Sequence, residues 1–198
     1  MKELSLHLLD IAQNSIAAGA HHVDLTVEEA GDRITLTVAD DGCGMSPEFL
    51  AQVTDPFTTT RTTRKVGLGL PLLRLAAEQT GGTLEVESRE GVGTTVTAVF
   101  HAGHIDCPPL GDMAATVALL VQGLPEETEL SYTYKTGRGA FTFDTAEARA
   151  ILGPEVPLSL PEVAQWIEGY LAEGEAGVRP EPAPERGTKL DTVREGTR

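Results

Sequence analysis

The chain has 198 residues, enough to bury one good core and carry an appendage. Its 30 acidic and 15 basic side chains leave a net charge of −15, which argues against nonspecific nucleic-acid binding and makes any cluster of cations stand out. Two distant cysteines form no disulfide framework, no apolar run reaches the ~18 residues of a membrane span, and Met1-Lys2-Glu3 opens no signal peptide, so we expect a cytoplasmic protein with no nucleic-acid or membrane partner.

In chain order, residues 3–18 read as a helix, with Leu4, Leu8, Ile11, Ala12 and Ser15 on one stripe and Gly19 as its stop. Two alternating strands follow. Val23, Leu25 and Val27 share one face of the first, and Ile34, Leu36 and Val38 share one face of the second. Ala30-Gly31-Asp32 is the turn between them. Ser46-Pro47-Glu48 starts a short helix, and residues 54–66 read as a polar loop. A helix is expected from about Leu70 to Thr80. Two more strands carry Leu84 and Val86, then Val96, Ala98 and Phe100. Helix, two strands, two helices, two strands suggest an α/β (α+β) two-layer sandwich, a mixed sheet covered on one face by helices.

Composition changes at Pro108-Pro109. Beyond it the pattern is α-β-β-α: a helix at Asp112–Val121, a hairpin of Leu130–Lys135 and Ala140–Phe143, and a short helix at Ala146–Leu152 capped by Asp144 or Thr145. A last helix carries Val163, Trp166, Ile167, Tyr170 and Leu171, opened by a capping box at Ser159-Leu160-Pro161-Glu162. We therefore expect a domain at 1–107, a small α/β appendage at 108–173 and a disordered tail at 174–198.

Three segments carry chemistry. Asp10 and Asn14 are four residues apart, on one helical face. Asp40, Gly42 and Gly44 mark a strand end running into a glycine turn. Gly67, Gly69 and Leu70 open a helix, whose free N–H groups suit phosphate. Arg61, Arg64 and Lys65 put three cations in five residues just before that helix, as a polyanion site or a solvated basic loop would. Gly91, Gly93 and Thr94 form a further turn and strand start. Each segment alone fits an ordinary turn or polar stripe. His101, His104, Asp106 and Cys107 are potential metal ligands, but their spacing is not a zinc pattern and they read as a strand end with incidental histidines. There is no Gly-Lys pair for a P-loop.

Together and in this order, the segments resemble the ATP-binding fold shared by gyrase, Hsp90, histidine kinases and MutL (the Bergerat fold), over residues 1–103. Asn14-Ser15-Ile16-Ala17-Ala18-Gly19-Ala20 is similar to the asparagine box of MutL. Pro56-Phe57-Thr58-Thr59-Thr60 and Gly67-Leu68-Gly69-Leu70 are similar to boxes of histidine kinases. The resemblance implies ATP and Mg2+ as cofactors. It makes Asn14 the magnesium ligand, Asp40 the acceptor of the adenine amino group and Thr94 a hydroxyl beside it. Gly42, Gly44, Phe57, Arg61, Arg64, Lys65, Gly67, Gly69 and Leu70 complete the nucleotide site. Asp10 takes the catalytic position, where relatives usually have a longer glutamate. A full histidine kinase has a two-helix dimerisation segment before this domain. Here the first helix of the domain comes at once, and His7 lies near the presumed magnesium face. The resemblance thus implies a kinase-type module acting on a protein phosphoacceptor in trans. An ATPase switch and a nucleotide-binding adaptor resembling anti-sigma factors stay open.

Overall fold

The computed structural model describes residues 3–53, 69–153 and 155–179. The polar loop expected at 54–66, with Phe57, Arg61, Arg64, Lys65 and also Gly67, lies outside these residues. Twelve elements follow in order: α1 (Leu4–Ala17), β1 (His22–Ala30), β2 (Arg33–Asp40), α2 (Pro47–Val53), α3 (Gly69–Gln79), β3 (Thr83–Arg89), β4 (Gly93–His101), α4 (Met113–Gln122), β5 (Glu129–Thr136), β6 (Gly139–Asp144), α5 (Thr145–Leu152) and α6 (Pro161–Val178). One mixed six-stranded sheet runs in the order β3-β4-β2-β1-β5-β6.

Period-two alternation gives this sheet one apolar face. Across the strands the register aligns Val86, Val96, Val38, Leu25, Tyr132 and Phe143 in one row. The next row holds Leu84, Ala98, Leu36, Val27, Tyr134 and Phe141. Leu4, Leu8, Ile11 and Ala12 of α1 bury against this face, with Leu73 and Ala77 of α3 and Val117 and Val121 of α4. The opposite face carries Asp24, Thr26, Glu28, Thr37, Thr97 and Thr133, which none of the helices buries. Among the described residues, no helix is long and apolar enough to cross a membrane.

The second half of the chain completes the first. β5 lies parallel to β1 and extends the same sheet. The first turn of α1 has no side-chain cap. Its Leu4 and Ser5 N–H groups instead donate to the carbonyls of Pro109 and Leu110, at 2.9 Å each. Thr128 Oγ1 donates to the Ala20 carbonyl at 3.0 Å.

Two local expectations are corrected. The capping box before α6 does not form: Leu160 is the N-cap, without a side-chain bond, and Pro161 opens the helix, its missing N–H being no loss at that position. The helix also continues to Val178, so the boundary expected at 173/174 falls inside it. The reason is a buried polar cluster. Glu175 is only 2% exposed, accepts from Tyr132 Oη at 2.8 Å and pairs with Arg179 at 2.8 Å. Arg179 Nε donates to Tyr134 Oη at 3.0 Å, and that hydroxyl in turn donates to Glu29. Burial pushes the Glu175 carboxyl and both tyrosine hydroxyls above their usual pKa ranges. Tyr132→Phe removes one donor from a buried carboxylate. It is expected to cost about 1–3 kcal/mol in urea unfolding. An unchanged urea midpoint would show that the cluster does not anchor α6.

Candidate functional site

The site forms where the apolar rows run out. Alternation carried one step further along β2, β4 and β3 places Asp40, Thr94 and Ser88 at inward positions. The register puts them side by side, Asp40 opposite Thr94 and Thr94 opposite Ser88. Three polar side chains thus sit together at one end of an otherwise apolar face.

Each is fixed by hydrogen bonds. Asp40 Oδ2 accepts from Ser15 Oγ of α1 at 2.6 Å, and Oδ1 accepts from the Gly42 N–H at 3.0 Å. Ser88 Oγ accepts from the Met45 N–H at 2.9 Å and donates to the Gly93 carbonyl at 3.1 Å. Its 2.8 Å bond with Thr94 Oγ1 then uses the threonine proton. The Thr94 oxygen keeps its acceptor capacity for another group.

The two glycine turns lock against each other. Gly44 has φ +63, and a Cβ there would stand 2.0 Å from the Arg89 carbonyl oxygen. Gly93 has φ +137, and a Cβ there would stand 2.0 Å from the Asp40 carbonyl oxygen. Only glycine permits both approaches. The Cys43 N–H donates to Ala18 O at 3.0 Å and the Gly91 N–H to Cys43 O at 2.8 Å. The turn is therefore held from α1 on one side and from the β3–β4 turn on the other.

Ahead of these groups lies a cleft of about 240 Å3. Ile11, Met45, Phe49, Val53, Leu70 and Val96 supply its apolar walls, and Asn14, Ser15, Asp40 and Thr94 its polar groups. Asn14 is exposed at its rim. Gly69, at the start of α3, packs against α1: a Cβ there would meet Asp10 Cβ at 3.4 Å and Asn14 Nδ2 at 3.7 Å. The fold thus gathers Asp10, Asn14, Asp40, Gly42, Gly44, Gly69, Leu70 and Thr94 in one region. Sequence reasoning did not assign Ser15 or Ser88 to the site. Both carried a readable signal, a polar residue on an apolar helical stripe and a polar residue at an inward strand position. His101 and His104 lie 3.6 and 3.7 Å from Asp32 and Asp106. Among the described residues, no group of three or more His, Cys, Asp or Glu side chains gathers in a metal-binding arrangement.

A mixed six-stranded sheet with its helices on one face is consistent with the ATP-binding fold that the sequence resembles. The sequence matches the family model described as "Histidine kinase-, DNA gyrase B-, and HSP90-like ATPase" over residues 2–104, just over half its length, and the chain belongs to that family. It is 36% identical over 92 residues to "Sensor histidine kinase ZraS" of Escherichia coli (strain K12), a match covering 46% of this chain and 20% of that protein. To "Histidine protein kinase DivJ" of Caulobacter vibrioides it is 35% identical over 101 residues, covering 49% of this chain and 17% of that protein. These matches span a fifth or less of the relatives' own length. Among solved structures, a "Crystal Structure of N terminal domain of a DNA repair protein" aligns with TM-score 0.49 and 14% identity, over 73% of this chain and 52% of that one.

Next to the site, Asp41 accepts from the backbone N–H groups of His21 and His22, at 2.7 and 2.8 Å, and from His22 Nδ1 at 2.9 Å. The His22 backbone and side-chain bonds hold the Asp41 carboxyl down to about 2, and the Asp41 side chain raises the His22 pKa. The contribution of Asp41 to stability is in place above the ordinary value of ~3.9 and is lost as pH falls through about 2. That of His22 is in place below ~6.5 and is lost as pH rises through its raised value. The pair is tightest between ~pH 4 and ~6.5. NMR titration is expected to give His22 a midpoint above the ordinary histidine value, returning toward it in Asp41→Asn. A midpoint that Asp41→Asn leaves unmoved would remove this link.

Proposed function

We propose that this chain binds Mg-ATP in the cleft and transfers the γ-phosphate to a separate partner protein. The observation that carries the reading is the inward placement of Asp40 beside Thr94, with both carboxylate oxygens already oriented by protein donors. An ionised carboxylate only accepts, and adenine presents an amino group. The cleft is smaller than the ~300–1,000 Å3 typical of sites that enclose a whole ligand. It suits the base, with the phosphates passing over Asn14 toward the start of α3. Gly42 and Gly44 let backbone approach the ring. The amide oxygen of Asn14 is a hard ligand on a rigid helix, suited to magnesium, and the exposed rim leaves space for the waters that ion retains. When bound, magnesium neutralises phosphate charge. Arg61, Arg64 and Lys65 act on the phosphates, Phe57, Gly67, Gly69 and Leu70 frame them, and Asp10 orients the attacking group.

Transfer in trans is supported by His7, which is 4% exposed within α1 and so gives incoming phosphate little access. The kinase names of the relatives support a protein acceptor over water.

The test is ATP affinity with and without magnesium, together with phosphate release and γ-label transfer to co-purifying proteins. Asn14→Ala is expected to lose the magnesium-dependent part of ATP affinity. Asp10→Asn is expected to keep affinity and lower transfer by roughly 10²–10⁴-fold. Phosphate release that never labels a protein would replace the kinase reading with an ATPase switch. Binding with neither release nor labelling would replace it with an adaptor.

A further inference from the structure

Outside the segment matching the family, β6 forms one end of the sheet. Among the described residues, β6 pairs only with β5. Backbone N–H and C=O groups along its other side therefore point outward, a template for another strand unless something blunts it. Gly139-Ala140-Phe141-Thr142-Phe143 has no proline, no lysine and no charge, with Asp144 alone at its end. On the helical side of the sheet, the Tyr170 ring of α6 lies 5.5 Å from that of Phe141 and 6.2 Å from that of Phe143. It stacks on Trp166 at 5.7 Å. Tyr170 and Trp166 remain 45% and 44% exposed, an aromatic ledge beside the free edge. Exposed Lys135 and Arg138 flank its start, and Asp144 and Glu147 its end. None of the four is in an ion pair among the described residues.

We infer that β6 is where two copies of this chain join, edge to edge and antiparallel, into one continuous sheet. Antiparallel pairing sets the Lys135 and Arg138 end of each copy against the Asp144 and Glu147 end of the other. The two-fold repeats that complementary contact. Parallel pairing would set like charges together. A two-fold perpendicular to the sheet keeps both helical layers on one side. Directly opposed residues must then face the same way, so the axis passes midway between one residue and its own copy in the second chain. Centred on Thr142, it sets Phe141 opposite Phe143 of the second copy, beside the two aromatic ledges. Pairing then satisfies the outward backbone groups and covers the exposed rings together.

The experiment is sedimentation velocity on the full chain over a range of concentrations, with melting curves to confirm that each variant folds. A concentration-dependent dimer is expected. Tyr170→Glu is expected to raise its dissociation constant by roughly 10²-fold, since each contact of an isologous interface is lost twice. Lys135→Glu with Arg138→Glu is expected to weaken the dimer, and adding Glu147→Lys to recover part of the loss. A monomer at every concentration would overturn the inference. So would a dimer indifferent to these changes. A monomer that dimerises only after removal of residues 180–198 would give the edge to the chain's own C-terminal segment, and would equally overturn it.

Discussion

The site depends on strand register. Side chains alternate between the faces of a strand, so each inward position is fixed once the pairing is fixed. The paired strands align two apolar rows across the whole sheet, and the next row opens with Ser88, Thr94 and Asp40. A slip of one residue between β2 and β4 would turn Asp40 toward the open face and expose Val38, Leu36 and Ile34 with it. The burial that stabilises the fold and the placement of the polar triplet are therefore one event. The hydroxyl of Ser15 then ties this triplet to α1, the helix that also presents Asp10 and Asn14.

Packing converts that register into a cleft. The segments 40–45 and 89–93 approach so closely that each needs a glycine facing the other's backbone. Ser88 bridges them through Met45, Gly93 and Thr94. The second half of the chain contributes at a distance. Its linker carbonyls cap α1, and β5 covers the edge that β1 would otherwise expose. The buried cluster of Tyr132, Tyr134, Glu175 and Arg179 then holds α6 against that added strand. Residues 108–179 are thus coupled to the helix that carries Asn14, although none of the described ones among them lines the cleft.

Much of this was legible because alternation and helical periodicity are local. Val23, Leu25 and Val27 announce an inward face without knowledge of a neighbour, and Asp40 at the end of Ile34, Leu36 and Val38 is an inward polar residue by the same count. Long-range pairing was not legible. Nothing in Leu130–Lys135 says that it lies parallel to β1, because strand order is set by packing and not by local pattern. The end of α6 was misread for a related reason. Glu175 looks like a solvent residue in a polar stretch, and only Tyr132, forty-three positions earlier, makes it a buried one. Ser159 fits the pattern of a cap, but the chain enters that helix at Leu160.

The claim that Asp40 reads the base is tested most directly by titrating ATP and GTP, with magnesium, into the parent protein and Asp40→Asn. Guanine presents a carbonyl where adenine presents an amino group, so an acceptor-only carboxylate distinguishes the two. The parent is expected to bind ATP well above GTP, and Asp40→Asn to lose most of that preference. Equal affinity of the parent for both nucleotides, or a preference that Asp40→Asn leaves intact, would contradict it.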